Sequence, residues 1–280
     1  MIKLSEFLKM NRILFISFLF FATTVRVYAQ KDSSFTLITT IEGDIQQFKV
    51  DNMDNLYILS STDQLKKLDN RGDSVAVYNN VKRFGKLSTI DVSNPLKVLL
   101  YYKDFSTIVV LDRLLNMRHT IDLRKLGIFQ VSSIGQSYDG NIWLYDALEN
   151  KLKKINEEGK LLMETPDFRQ LFEEAPQPQH IFDQDGYVYL YDSTQGFFVF
   201  DYYGTLKNRI TYPGWQNITV TARSIIATKE NRLQRYLVNS FALKENDIPK
   251  DFLPYDHLQF TASKIYAHSP NLIRIYKLPE

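Results

Sequence analysis

The sequence predicts an all-β chain folded as a six-bladed β-propeller, on three observations. Four stretches repeat one pattern, a turn rich in Asp, Asn or Gly followed by an apolar strand, a polar gap and a second strand: 51–58, 91–100, 139–144 and 183–190. The residue closing that second strand is Asp69, Asp112, Asn156 and then Asp201, at spacings of 43, 44 and 45 residues. An aromatic share of 14%, with 17 Tyr and 19 Phe, suits strands. Short strands recurring at this period are the signature of propeller blades.

Taken in order, the first unit places strands at 48–50, 56–60, 64–68 and 74–78, with Gly72 in the last hairpin. Gly159 and Gly204 stand three residues after Asn156 and Asp201, as Gly72 does after Asp69. A tight hairpin needs a residue tolerant of positive φ there. The third unit runs 142–145, 151–155 and 161–164, and the fourth 188–191, 197–200 and 207–211. Two weaker units, 222–241 and 258–278, bring the count to six. The segment 35–41 has no unit of its own, and 273–276 lacks a final partner. The N- and C-terminal strands are therefore expected to share the closing blade, which removes exposed edges.

Residues 1–29 read as a signal peptide and 30–280 as a single propeller domain. Lys3, Lys9 and Arg12 precede the 13-residue apolar run 13–25, and Val27-Tyr28-Ala29 suits a cleavage site. The run is short of the roughly 20 residues that cross a bilayer, so no transmembrane segment is expected in the mature chain. There is no Cys, which leaves stability to the core. The formal charge of +2 includes a net +3 in residues 1–29, leaving the mature chain at −1. Such a chain has no general attraction for nucleic acid.

Asp-Gly-Asn-Ile-Trp-Leu at 139–144 and Asp-Gly-Tyr-Val-Tyr-Leu-Tyr-Asp at 185–192, each followed by a strand and a Gly turn, resemble NHL-type six-bladed propeller repeats. Similar repeats occur in gluconolactonase-like proteins and in bacterial envelope propellers. The motif describes a hairpin, so it carries fold and little function. The gluconolactonase-like resemblance implies a metal held in the channel by acidic and Asn ligands from the inner strands. The matching positions here read Gln46-Gln47, Ser88-Thr89, Ser132-Ser133 and Gln179-His180, without a carboxylate. That counts against a lactonase.

The Asp-rich turn at Asp183, Asp185 and Gly186 is the nearest approach to a calcium loop, but it lacks a bidentate Glu. Asp and Asn in such turns ordinarily bond their own backbone. His119, His180, His257 and His268 have no ligand spacing, and only His180 is expected at the channel, the others on outer strands or loops. No nucleophile elbow, phosphate loop or dinucleotide fingerprint is present, so no catalytic residue, metal or cofactor is assigned.

The longest loops join the fourth strand of one blade to the first of the next: 79–86, 123–130, 165–179 and 211–219. They should converge on one rim carrying Arg83, Phe84, Arg124, Phe129, Arg169, Phe172 and Trp215, residue types enriched at binding hot spots. The competing expectation is that Phe84, Phe129 and Phe172 tuck beneath their own loops as satellite core. A short helix is expected at 168–174. The function expected is a non-catalytic protein-binding or scaffolding module of the cell envelope, periplasmic or outer-membrane associated. Its expected partner is an envelope protein, as for an accessory subunit of an outer-membrane assembly or transport complex. The alternative is a channel-centred small-ligand binder or lactonase-like hydrolase using Gln47, Thr89, Ser133 and His180.

Overall fold

The computed structural model describes residues 35–248, 250–252 and 254–278. The expected signal peptide at 1–29 lies outside them. Strand β1 (Leu37–Glu42) comes first. Blade one follows with β2 (Gln47–Val50), β3 (Leu56–Leu59), β4 (Leu65–Leu68) and β5 (Ser74–Tyr78). Blade two has β6 (Thr89–Asn94), β7 (Lys97–Tyr102), β8 (Thr107–Asp112) and β9 (Met117–Asp122). Blade three has β10 (Val131–Gln136), β11 (Ile142–Asp146), β12 (Lys151–Ile155) and β13 (Leu161–Glu164). Blade four has β14 (His180–Gln184), β15 (Tyr187–Asp192), β16 (Gly196–Asp201) and β17 (Leu206–Ile210). Blade five has β18 (Gln216–Val220), β19 (Ser224–Lys229), β20 (Arg232–Leu237) and β21 (Ala242–Asp247). In blade six, β22 (His257–Phe260), β23 (Lys264–Ser269) and β24 (Leu272–Lys277) are completed by β1.

Each blade is thus a four-stranded antiparallel sheet, and the two ends of the propeller share one. Strand β1 pairs with β24 from Leu37 opposite Tyr276 to Glu42 opposite Leu272. The fold predicted from the repeat spacing is the fold observed, with one shift in the weak region. Blade five begins at β18, inside the segment 211–219 expected to be a loop, and its outer strand β21 was not foreseen.

The recurrent Asp explains the hairpins. The Oδ1 atoms of Asp69, Asp112 and Asp201 each accept two backbone N–H groups, from the residues two and four positions on, at 2.8–3.0 Å. Asn156 Oδ1 accepts from Lys160 N at 2.7 Å. Three residues after each stands a left-handed residue: Gly72, Gly159 and Gly204, but Leu115 (φ 61) in blade two. Leu115 is buried among the side chains between blades one and two, and that burial offsets the backbone cost of its φ.

Apolar clusters fill the spaces between blades. One joins blades one and two, another two and three, and Trp143, Phe168, Phe198 and Phe200 anchor the space between three and four. Between blades six and one, Tyr266, Ile273 and Ile275 pack on Phe48, Val50 and Leu56. Gly135 on β10 allows β14 its close approach, since a Cβ there would stand 2.8 Å from the Ile181 carbonyl oxygen. At the loop face, 3-10 turns form at Val81–Phe84, Leu123–Leu126 and Lys250–Phe252. The helix expected at 168–174 is a single 3-10 turn, Phe168–Gln170, started by the Asp167 side chain accepting from Arg169 N.

Candidate functional site

The first strand of each blade faces the axis, and together these strands enclose a channel cavity of about 350 Å³. Its polar lining includes Lys49, Thr89, Asp91, Gln179, His180, Asp183, Asn217, Thr219, His257 and Gln259. Thr89 and His180 are part of this lining. Gln47 and Ser133 do not line the cavity. A register shift between Val131 and Ser133 in β10 leaves Ser133 buried, as bulges re-aim side chains.

Two further expectations are corrected. The inner strands are longer than the repeat suggested, so Asp91 and Asp183, read as turn residues, bring carboxylates to the channel wall. His257, expected on an outer strand or loop, opens β22 and lines the same channel as His180. His119 is on the exposed outer strand β9, and His268 is buried on β23 with its ring 3.2 Å from the Ile45 carbonyl oxygen.

The carboxylates are consumed by ties between blades. Asp91 accepts from Gln136 N (2.8 Å), Gln136 Nε2 (3.3 Å) and Ser93 N (2.8 Å), linking blades two and three. Asp183 accepts from Trp143 Nε1 (2.9 Å), Ser137 Oγ (3.0 Å) and Tyr138 N (3.3 Å) in blade three, and from Tyr202 OH (2.6 Å) in its own blade. Gln259 ties blade six to blade one through the Val50 amide and carbonyl, and Thr219 and Asn217 tie blade five to Phe260 and Leu258. Among the described residues, no group of three or more His, Asp or Glu is arranged to hold a metal.

Burial, reinforced by repulsion from Lys49, lowers the pKa of His257 from its ordinary 6.5 to about 4. His180 moves in the same direction for the same two causes. A depressed histidine pKa means that the unfolded chain takes up the proton first. Stability should therefore fall as pH drops from about 6.5 through about 4, by about 2 kcal/mol for His257 after allowing for lumen water. Melting curves across that window test this. His257→Phe, which keeps the edge contact with Phe48, should flatten the slope.

On the loop face, the blade-connecting loops bond to the hairpins between second and third strands, which places both on one side. Lys82 pairs with Asp63 at 2.9 Å, Arg124 Nη2 donates to the Asp104 carbonyl at 2.5 Å, and Leu123 N donates to the Ser106 carbonyl. Arg83 is exposed and lies over Phe84, whose ring is half-buried against the blade one–two core. Phe129 is 59% exposed and its neighbour Phe105, missed in the sequence, is 51% exposed. Arg169 is paired with Asp167 at 2.6 Å, and Phe172 packs edge-on to Phe168 and Phe198. Trp215 is the clearest departure. It is 3% exposed, its indole donates to Gln234, and its backbone is clasped by Tyr191 OH, because it immediately precedes β18 rather than lying in an open loop.

No family model matches this chain, and no curated protein matches it. Solved structures do. Virginiamycin B lyase from Staphylococcus aureus is 14% identical over 88% of this chain and 100% of its own, with a TM-score of 0.58. A protein from Bacteroides fragilis classed as exported is 11% identical over 88% of this chain and 94% of its own, at 0.58. The β-propeller domain of Cps50 (Swd1) from Myceliophteria thermophila is 8% identical over 88% of this chain and 100% of its own, at 0.59. These likenesses establish the class, a β-propeller, which the strand pairing specifies as six-bladed. A lyase and an exported protein sharing one architecture is what a general platform allows. No helix among the described residues is long and apolar enough to cross a membrane.

Proposed function

We propose that this chain, built of NHL-type repeats, is an exported, non-catalytic propeller that binds an envelope protein through its loop face. The partner is a component of an outer-membrane assembly or transport complex. The observation carrying this reading is the exposure of Phe105 and Phe129 on neighbouring connections, with Arg124 bonded to the Asp104 carbonyl next to Phe105, and Arg83 two residues before Gly85, against which the Phe105 ring lies. Ser106 Oγ reaches the Phe129 carbonyl at 3.4 Å, which holds the two segments side by side. Large exposed aromatics beside arginine are the composition of binding hot spots, and ties to the blades let them bind with little ordering cost. The hydrolase alternative loses support because Asp91 and Asp183 spend their oxygens on neighbouring blades.

The test is a pull-down of the tagged protein from gently solubilised envelope, repeated with Arg83→Glu/Phe129→Ser. A stoichiometric membrane partner should be captured by the parent and lost from the variant, while the variant's melting temperature is unchanged. Equal capture by both would remove the loop face from consideration.

A further inference from the structure

We propose that the central channel binds a small organic anion, held by the ammonium of Lys49 with Thr89, His180 and His257 as neutral hydrogen-bonding partners. This site is separate from the loop face and does not depend on it. Asp91, Asp183, Gln179, Gln259, Asn217 and Thr219 all make hydrogen bonds within the protein. Among the described residues, Lys49 Nζ, Thr89 Oγ1, the rings of His180 and His257 and the side chains of Asn52, Ser93 and Gln184 have no such partner, although all line the same 350 Å³ cavity. Polar groups crowded into a cavity without a partner are the places where a ligand gains most.

The uncommitted set has a definite chemistry. It comes from blades one, two, four and six and contains a cation, two hydroxyls, two side-chain amides and two imidazoles, with no carboxylate. Each neutral imidazole offers one N–H donor. Two negative groups face the same lumen, Asp91 and Asp183, and both are already surrounded by donors from blade three. His268 lies behind His257 and is engaged with the Ile45 carbonyl. Burial holds Lys49 below the ordinary lysine pKa, against the attraction of Asp91, and an added negative group would act in the same sense as Asp91 and favour the charged ammonium. Ile90, Ile134, Ile181 and Leu258 supply apolar wall, and the cavity is at the small end of ligand pockets, about 300–1,000 Å³. An organic anion bearing further oxygens fits both features better than a bare inorganic ion.

The full chain is titrated calorimetrically with citrate, glucuronate and glucose 6-phosphate, with neutral glucose as control. At least one of the carboxylate or phosphate probes should bind, glucose should not, and the strongest binder identifies which anionic group is preferred. Lys49→Met, which keeps the stem and removes the charge, should weaken binding at least tenfold while melting no lower than the parent. Thr89→Val should weaken it severalfold, and Arg83→Glu/Phe129→Ser should leave it intact. The proposal is overturned if none of the three anions binds the parent, if glucose binds as well as they do, or if Lys49→Met binds with parental affinity.

Discussion

Replacing Asp183 with alanine should destabilise the protein by about 3 kcal/mol, a fall in melting temperature of roughly 6–12 °C for a domain of this size. The carboxylate is the common acceptor for Trp143 Nε1, Ser137 Oγ and Tyr138 N of blade three and Tyr202 OH of blade four. Trp143 is wholly buried, so its indole N–H loses its partner with no route to bulk water other than the channel side. Hydrogen bonds to a charged acceptor are worth about 1.5–3 kcal/mol each, and lumen water entering the vacated space recovers part of the loss. Asp183→Asn separates charge from geometry. Its oxygen can face the three blade-three donors while its amide donates to the Tyr202 oxygen, so it should cost about 1 kcal/mol. Combining Asp183→Ala with Trp143→Phe should cost less than the sum of the two, because the second change removes the orphaned donor. Strict additivity, or an alanine variant melting within about 2 °C of the parent, would show that the tie between blades three and four is not energetically used.

The same residue shows where the sequence was legible and where it was not. The outer three strands of blades one to four announced themselves through local chemistry: the Asp or Asn that caps the last hairpin, the left-handed residue three positions later, and the apolar run between. Leu115 escaped because tertiary packing there replaces the freedom of glycine. The inner strands are different. Gln47-Phe48-Lys49-Val50, Thr89-Ile90-Asp91-Val92 and His257-Leu258-Gln259-Phe260 alternate polar and apolar residues, and their polar partners come from other blades. Asp183 and Asp91 look like turn residues until the neighbouring blade supplies their donors. Aligning those tetrapeptides would have found His257 beside His180 and Lys49 beside Asp91, a signal present in the sequence but hidden by the turn-centred register. Trp215 was misplaced for the same reason, since the four residues after it read as loop and fold as part of β18.

Deleting residues 35–42 should abolish cooperative melting, although the strand removed buries little. Every residue of β1 except the partly covered Ile41 is exposed, so lost apolar burial cannot be the reason. The cost lies in the edge. The deletion strips β24 of its whole ladder from Leu272 to Tyr276, along with the bond from Lys277 N to the Thr36 carbonyl. At about 1 kcal/mol per net hydrogen bond the direct loss is about 5 kcal/mol, comparable with the roughly 5–15 kcal/mol that holds a whole domain together. It also frees blade six from its only covalent link to blade one. What then remains at that seam is Tyr266 OH on Asp54 (3.1 Å), Lys264 on Asp54 (2.8 Å), the Gln259 clasp of Val50, His268 on the Ile45 carbonyl (3.2 Å), and the ring and apolar contacts of His257, Tyr266, Ile273 and Ile275. Those contacts must be made between chain ends more than 200 residues apart, and their formation pays a loop-closure entropy that the shared blade shares with its own ladder. Chemical denaturation followed by tryptophan fluorescence and far-ultraviolet circular dichroism distinguishes the outcomes. Non-coincident or broad transitions are expected from the truncated chain. A single sharp transition close to that of the parent would mean that the side-chain contacts between blades six and one close the ring without the strand.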